Sequence, residues 1–349
     1  MQVCMYYSNR DVRLEQMAAP RPGPGELILK VRASGICGSD VMEWYRRDKV
    51  PLVLGHEVAG EVVELGQGTT RFKVGDRLAV THHVPCNTCH YCLKGAHTMC
   101  ETLLKGTRFD PGGFAEYIRV PAINVDRGCF VIPDHLSYAE ASFMEPLACV
   151  LRGQRRAGLR PGRSVLVLGA GISGLLHIPL ARTLGAGLVV AADTIAFRLA
   201  KAQEMGAHQA LTADAELPGR LRELNQGYLA DLVIICFDGF IPLALQCVER
   251  GGTVLIFSGA AEGATLPGAI NDIFWRTEVN LTSTYAGAPY DCDQALKLIA
   301  AGSVPVERLI THRLGLAHIQ EGFTAVCSPT QHECVKVIIE PHIPSKDGQ

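Results

Sequence analysis

Residues 164–193 read SVLVLGAGISGLLHIPLARTLGAGLVVAAD. A short apolar run meets a cluster of glycines, a stretch of helical character follows, and a second apolar run ends in an acid. That order is a β-α-β unit. Within it, Gly169-Ala-Gly171-Ile172-Ser173-Gly174 has the spacing G-x-G-x-x-G, which alone is weak because three glycines so spaced occur by chance. The context adds weight: a strand precedes, a helix follows, and Asp193 stands 19 residues past Gly174. Such glycines let backbone approach a pyrophosphate, the helix N-terminus supplies unsatisfied N–H groups and positive dipole, and the acid accepts hydrogen bonds from an adenosine ribose. A dinucleotide site is therefore expected at Gly169, Gly171, Ile172, Ser173, Gly174 and Asp193, against the alternative of a tight turn that binds nothing. An acid at 193 repels a 2′-phosphate, which favours NAD over NADP. Arg198 lies five residues on, placed either to soften that preference or to cover the adenine ring.

Working outward, strand-like runs at 230–236, 253–257 and 279–284 alternate with helical segments such as 197–205 and 243–249, so an open parallel sheet with helices on both faces is expected. The first third differs. It is rich in Gly and Pro, with short Val-, Ile- and Leu-containing runs at 26–33, 58–65, 77–80 and 114–120, the pattern of an all-β, barrel-like unit. The tail, with helical segments at 292–301 and 317–325 and a strand at 334–340, resembles the first unit more than the second. It is expected to return to that first unit, leaving the nucleotide domain as an insertion.

A chain of 349 residues, 48% of them apolar, favours about two domains. Its 33 basic against 35 acidic residues leave no electrostatic footprint for nucleic acid or an anionic membrane. The N-terminal MQVCMYYSNRDVRLEQ lacks the basic stretch and apolar run of a secretory signal, and the most apolar region is broken by glycines, His177, Pro179 and arginines before it would span a bilayer. A cytoplasmic protein acting on small molecules is expected. The 13 cysteines fit that reading: the number is odd, four cluster within 15 residues, and metal thiolates in a reducing compartment explain them better than disulfides.

Those four, Cys86-x2-Cys89-x2-Cys92-x7-Cys100, place in one short loop the number of thiolates that a closed tetrahedral structural zinc requires. An iron–sulfur cluster of the bacterial ferredoxin kind wants a shorter last interval followed by proline, whereas Glu101 follows here. Other candidate ligands are scattered: Cys37 in GICGSD, the pair His56-Glu57 in LGHEVAG, and Glu145 in MEPLA. One thiolate, one imidazole and one carboxylate with an open fourth position would make a catalytic zinc site. Taken singly, each is equally readable as a core cysteine, a loop histidine or a helix cap.

The run of GICGSD, GHEVAGEVVELG, KVGDRLAV, the four-cysteine lobe, GGFAEY, MEPLA and the glycine fingerprint, in this order over nearly the whole chain, resembles the zinc-containing medium-chain alcohol dehydrogenases. The Glu145-Pro-Leu form is similar to the branch of sorbitol, threonine and polyol dehydrogenases. The resemblance implies an α/β protein: a GroES-like β-barrel catalytic domain over 1–150, carrying the structural zinc lobe at 86–100; a Rossmann doubly wound parallel-sheet nucleotide domain over 151–290; and a return segment, 291–349, completing the first. It also implies Cys37 and His56 as catalytic zinc ligands, with either Glu57 or Glu145 as the third and the other close by. Cys149, one helical turn after Glu145, is an outside candidate. Ser39 matches the hydroxyl that takes the alcohol's proton. Hydride would pass to C4 of a nicotinamide, and a homodimer or homotetramer is the expected assembly.

Two departures stand out. Sorbitol-type enzymes carry a histidine three residues after that serine, where this chain has Met42 and then Glu43, and an arginine where it reads Thr284-Tyr285-Ala286. Both argue against sorbitol itself. Glu43 is left either to meet an amino group or hydroxyls of another substrate or to face solvent. The expected substrate is a secondary alcohol in a polyol, sugar, cyclitol or hydroxy-amino acid. A simple aliphatic or aromatic alcohol, suited to Met42, Trp44 and Phe109, is the enzymatic rival, and a non-catalytic nucleotide-binding scaffold is the reading from another class.

Overall fold

A computed structural model describes residues 1–105 and 108–342. The described residues form two compact units: 1–105, 108–148, 286–301 and 306–342 make the first, and 149–285 with 302–305 the second. The boundaries expected from the sequence lay at 150/151 and 290/291. The chain returns at 286, where Gly287 packs so closely on Ala148 that a Cβ built on it would stand 2.6 Å from the Cβ of Ala148.

The second unit is a six-stranded, all-parallel sheet in the order Gln209–Thr212, Leu188–Asp193, Ser164–Leu168, Ala230–Ile235, Val248–Ile256, Asn280–Ser283. In chain order this is 3-2-1-4-5-6, the doubly wound arrangement of dinucleotide-binding folds. Its central strand, SVLVL, is buried at every position, as expected where helices cover both faces of a parallel sheet. Leu166, Leu168, Val190, Val233 and Ile235 form part of one continuous core. The expected helix at 243–249 spans Ile241–Cys247 instead, since Val248 and Glu249 already belong to the next strand.

The first unit is built on a seven-stranded sheet. Six strands follow one path, from Leu27–Gly35 through Glu57–Leu65, Arg77–Val80 and Cys129–Val131 on one side and through Lys336–Ile339 and Ile310–Leu314 on the other, with Tyr117–Val120 also pairing Leu27–Gly35. The C-terminal strand Lys336–Ile339 lies antiparallel to Leu27–Gly35, pairing Ile338 with Gly35 and Ile339 with Ser34. A strand more than 300 residues downstream thus closes the sheet from which the first candidate ligand emerges. Among the described residues no helix is long and apolar enough to cross a membrane.

Candidate active site

Cys37 sits just beyond the strand Leu27–Gly35, as N-cap of the short 3-10 turn Gly38–Val41. The turn fixes the thiol. Ser39 donates to Cys37 Sγ through both its backbone N–H and its Oγ, each at 3.4 Å, and Asp40 Oδ2 accepts from the Cys37 N–H at 3.0 Å. Asp40 is fully buried, and its other oxygen faces His56 Nδ1 at 3.5 Å and Arg46 Nη2 at 3.3 Å. Burial alone would raise the Asp40 pKa, but His56, Arg46 and the Cys37 N–H hold it below the usual carboxylate range. Asp40 in turn orients the imidazole of His56 from behind, the supporting role typical of groups around a metal ligand. Sequence reading passed over both Asp40 and Arg46; the acid in GICGSD was the only visible signal.

Glu57 opens the strand Glu57–Leu65. One of its oxygens accepts a short hydrogen bond from Lys336 Nζ, which also donates to the Ile36 carbonyl at 3.0 Å, and both side chains are 1% exposed. Gly35 makes room for this ion pair, since a Cβ there would fall 2.0 Å from the Glu57 carboxylate. Burial raises the Glu57 pKa even against Lys336 and His56. Lys336 was also missed, although a lysine in the otherwise apolar CVKVII is a readable anomaly.

The ligand atoms of Cys37, His56 and Glu57 lie within 4.8 Å of one another. Glu145, on the helix Met144–Arg156, falls in a different group with His82 and His83, and Cys149 falls in neither. Glu145 Oε1 stands 3.5 Å from His83 Nδ1, and although burial raises its pKa, His83 and His56 bring it below the ordinary value. The donor chemistry of the first group suits a zinc ion: one sulfur, one nitrogen, one oxygen and a side left for substrate. Burial opposes charge on His56, yet Asp40 and Cys37 outweigh it and raise its pKa well above that of a free imidazole, so a metal bound there would displace a proton.

In the lobe, Cys86, Cys89, Cys92 and Cys100 form a second complete donor set. Sulfur–sulfur separations of 3.5 Å (Cys89–Cys92), 3.6 Å (Cys86–Cys100) and 3.9 Å (Cys86–Cys92) bracket the roughly 3.8 Å edge of a tetrahedron with zinc–sulfur bonds of about 2.3 Å. Hydrogen bonds from the Thr88 hydroxyl, the Thr88 N–H and the Cys89 N–H carry the Cys86 thiol down to about 5, which favours the thiolate that metals bind.

At the nucleotide loop, Gly169 adopts a left-handed φ of +94° that a side chain would strain. Gly174 lets the helix Ile172–Thr183 close on the strand, because a Cβ there would lie 1.9 Å from the Gly169 carbonyl oxygen. Gly171, the N-cap, faces open space up to the Arg198 guanidinium 3.9 Å away, leaving Ile172 and Ser173 to begin the helix. Asp193 is 2% exposed, accepts from Ala170 N at 2.7 Å and Ile195 N at 3.0 Å, and faces Arg198 Nη1 at 3.7 Å.

Residues 23–134 match the family of alcohol dehydrogenase GroES-like domains, and 173–301 match the zinc-binding dehydrogenases. Sorbitol dehydrogenase of Ovis aries is 32% identical over 327 residues, covering 90% of this chain and 89% of that one. The chain belongs to the zinc-containing medium-chain alcohol dehydrogenases. Among solved relatives of this family, 2R,3R-butanediol dehydrogenase from Bacillus subtilis is 27% identical with a TM-score of 0.83, covering 98% of this chain and 99% of that one. A Sinorhizobium meliloti 1021 protein described as a zinc-binding dehydrogenase and bound to NADP is 28% identical, with a TM-score of 0.83 over 97% of this chain and 99% of its own. The dehydrogenase described here thus uses zinc and a nicotinamide cofactor on a small-molecule substrate.

Proposed function

We propose that this enzyme oxidises a secondary alcohol of a hydroxyl-rich small molecule and passes the hydride to NAD, with Cys37, His56 and Glu57 holding the catalytic zinc. The observation that carries this reading is the Cys37–His56–Glu57 donor set with the Ser39 hydroxyl beside its sulfur. A zinc ion held there supplies a Lewis acid that lowers the pKa of an alcohol. Asp40 keeps His56 oriented and Lys336 holds one oxygen of Glu57, so that Cys37, His56 and the other oxygen of Glu57 would hold the ion. Ser39 Oγ accepts from Arg46 Nη2 at 3.3 Å and donates to Cys37 Sγ, so its remaining lone pair can take the alcohol's proton only as the hydroxyl swings its own O–H proton away from Cys37 Sγ to the next acceptor. Neither Met42 nor the always-charged Arg46 relays it onward, and Glu57 is tied to Lys336. The proton therefore leaves to water or a ribose hydroxyl, and one alcohol and one NAD become one carbonyl compound, one NADH and one proton.

The polar side chains around Cys37 and His56 suit a hydroxylated substrate. His82 lies 4.9 Å from His56 between ring centroids, with Arg46 and Ser39 on the same lobe. Phe109 is 8% exposed, packs its ring edge-on against His82 at 6.3 Å and belongs to the barrel core, and Trp44 is 42% exposed. Glu43 is engaged elsewhere, accepting from the Asn9 N–H at 3.0 Å. Similarity to sorbitol and butanediol dehydrogenases supports the same class.

Replacing Ser39 with Ala will lower turnover by ~100-fold, the usual scale of a general acid–base step, while zinc content and NAD affinity stay near wild type. Steady-state NADH formation with metal analysis checks this; a fully active variant would remove Ser39 from the proton path. For cofactor choice, wild type will prefer NAD to NADP in kcat/KM, and Asp193→Ala will narrow the gap. The carboxylate gains a ribose hydrogen bond and repels a 2′-phosphate, each on the order of 1 kcal/mol. A wild-type preference for NADP would turn Arg198 into a phosphate contact. A cytoplasmic homodimer or homotetramer is the proposed setting, which light scattering of the purified protein tests.

A further inference from the structure

Arg46 ends the short helix Glu43–Arg46, and its guanidinium lies over the turn that carries Cys37 and Ser39. Nε donates to the Ser39 carbonyl at 3.0 Å, while Nη2 reaches Ser39 Oγ and Asp40 Oδ1, each at 3.3 Å. Nη1 has no partner among the described residues, although the side chain is only 12% exposed. A guanidinium has five N–H donors and no acceptor, and donors withdrawn from water cost free energy until an acceptor meets them. Asp40 is already committed, its Oδ2 to the Cys37 N–H and its Oδ1 to Nη2 and His56 Nδ1. Glu43, at the start of the same helix, is engaged by the Asn9 N–H. Further positive charge gathers here. Arg46 Cζ and Lys49 Nζ lie 4.7 Å and 3.6 Å from the centre of the same Tyr45 ring, and His82 feels the charge of both Arg46 and Arg108.

We propose that the alcohol oxidised at this centre is an anion, whose carboxylate or phosphate binds Arg46 Nη1 while its hydroxyl meets Ser39. The inference rests on the alcohol-oxidation reading and narrows its substrate class. Geometry sets the spacing. Nη1 and Nη2 share one carbon, and Nη2 is 3.3 Å from the Oγ beside which the reacting hydroxyl must stand. The anionic group therefore lies within a few carbons of the carbon that is oxidised, as in short hydroxy acids and phosphorylated polyols. Arginine suits this task better than lysine, because its planar fork keeps Nη2 on Ser39 while Nη1 takes the anion. The anionic group itself is unchanged by the reaction.

The test is NADH formation by the zinc-replete enzyme with matched pairs of alcohols: gluconate against sorbitol and threonine against threoninol for a carboxylate, glycerol phosphate against glycerol for a phosphate. Wild type will favour the anionic member of at least one pair by roughly 10- to 100-fold in kcat/KM, the scale of a hydrogen bond to a charged group. Which pair responds distinguishes carboxylate from phosphate. Arg46→Gln will erase that preference, chiefly through a higher KM for the anion, and Arg46→Lys, which keeps a charge beside Asp40, will restore part of it. An arginine that only braces Ser39 and Asp40 would instead lower both members of a pair alike, and that result overturns the proposal. So does a wild-type enzyme that uses the neutral members as well as the anions, an outcome that leaves alcohol oxidation itself standing. Turnover of no member of any pair overturns both.

Discussion

Cys37→Ser protein will fold, keep the metal of its four-cysteine lobe and oxidise alcohol on the order of 1000-fold more slowly than wild type, as expected if about 4 kcal/mol of electrostatic stabilisation is lost. The reasoning starts from the turn Gly38–Val41. Cys37 is its N-cap, but Asp40 bonds to the Cys37 backbone N–H, which a serine retains, so the local fold survives the change. The sulfur, however, is the one soft donor in a set otherwise made of His56 and Glu57. A hydroxyl is a far weaker zinc ligand than a thiolate. Metal analysis should therefore find the Cys37 site depleted while the circular dichroism spectrum is unchanged. Full activity in a protein stripped of that metal would exclude the assigned role.

Cys92→Ser will act on folding instead. The lobe has almost no apolar core of its own: its cluster of buried hydrophobic residues is Cys92, Cys100 and Leu103, with Cys86 and Cys89 packed against them. So small a cluster buries too little surface to order the loop, and the metal supplies what is missing. Structural zinc contributes about 10 kcal/mol or more in small metal-dependent folds. Removal of one of four thiolates forfeits a large part of that, several kcal/mol at least on the same scale. Loss of the chelation-resistant zinc together with a markedly lower melting temperature is the expected pair of results. If Cys92→Ser melted as wild type while Cys37→Ser unfolded, the two sites would have been exchanged.

How far the sequence carried the fold differs between the units. Residues 164–193 were legible because a doubly covered parallel strand is apolar at every position and its turn must be glycine, so SVLVL and GAGISG show themselves without tertiary knowledge. The edge strand Gln209–Thr212 was not, having exposed ends and only four residues. The four-cysteine lobe was legible for a similar reason, its ligands lying within one loop.

The catalytic centre was only half legible. Cys37 and His56 announce themselves in short motifs, but the choice between Glu57 and Glu145 depends on contacts far apart along the chain. Lys336, 279 residues from Glu57, holds that carboxylate beside the Cys37 group, and His83 draws Glu145 into another. Arg46 likewise reaches Ser39 only because the helix Glu43–Arg46 turns its guanidinium back over the Gly38–Val41 turn. No periodicity in sequence encodes such juxtapositions.

The central claim, zinc-dependent oxidation of a hydroxyl-rich secondary alcohol with NAD, is tested most directly by following NADH formation across polyols, sugars, cyclitols, threonine and simple alcohols. The screen is run on zinc-replete protein and on protein whose labile zinc has been removed by chelation. The account predicts NADH with at least one secondary alcohol bearing further hydroxyls or an amino acid group, weaker turnover of simple alcohols, and loss of the reaction on chelation with recovery when zinc is returned. Zinc-replete protein that binds NAD yet reduces it with none of these alcohols, or that reduces it equally well after its labile zinc is gone, would contradict the account.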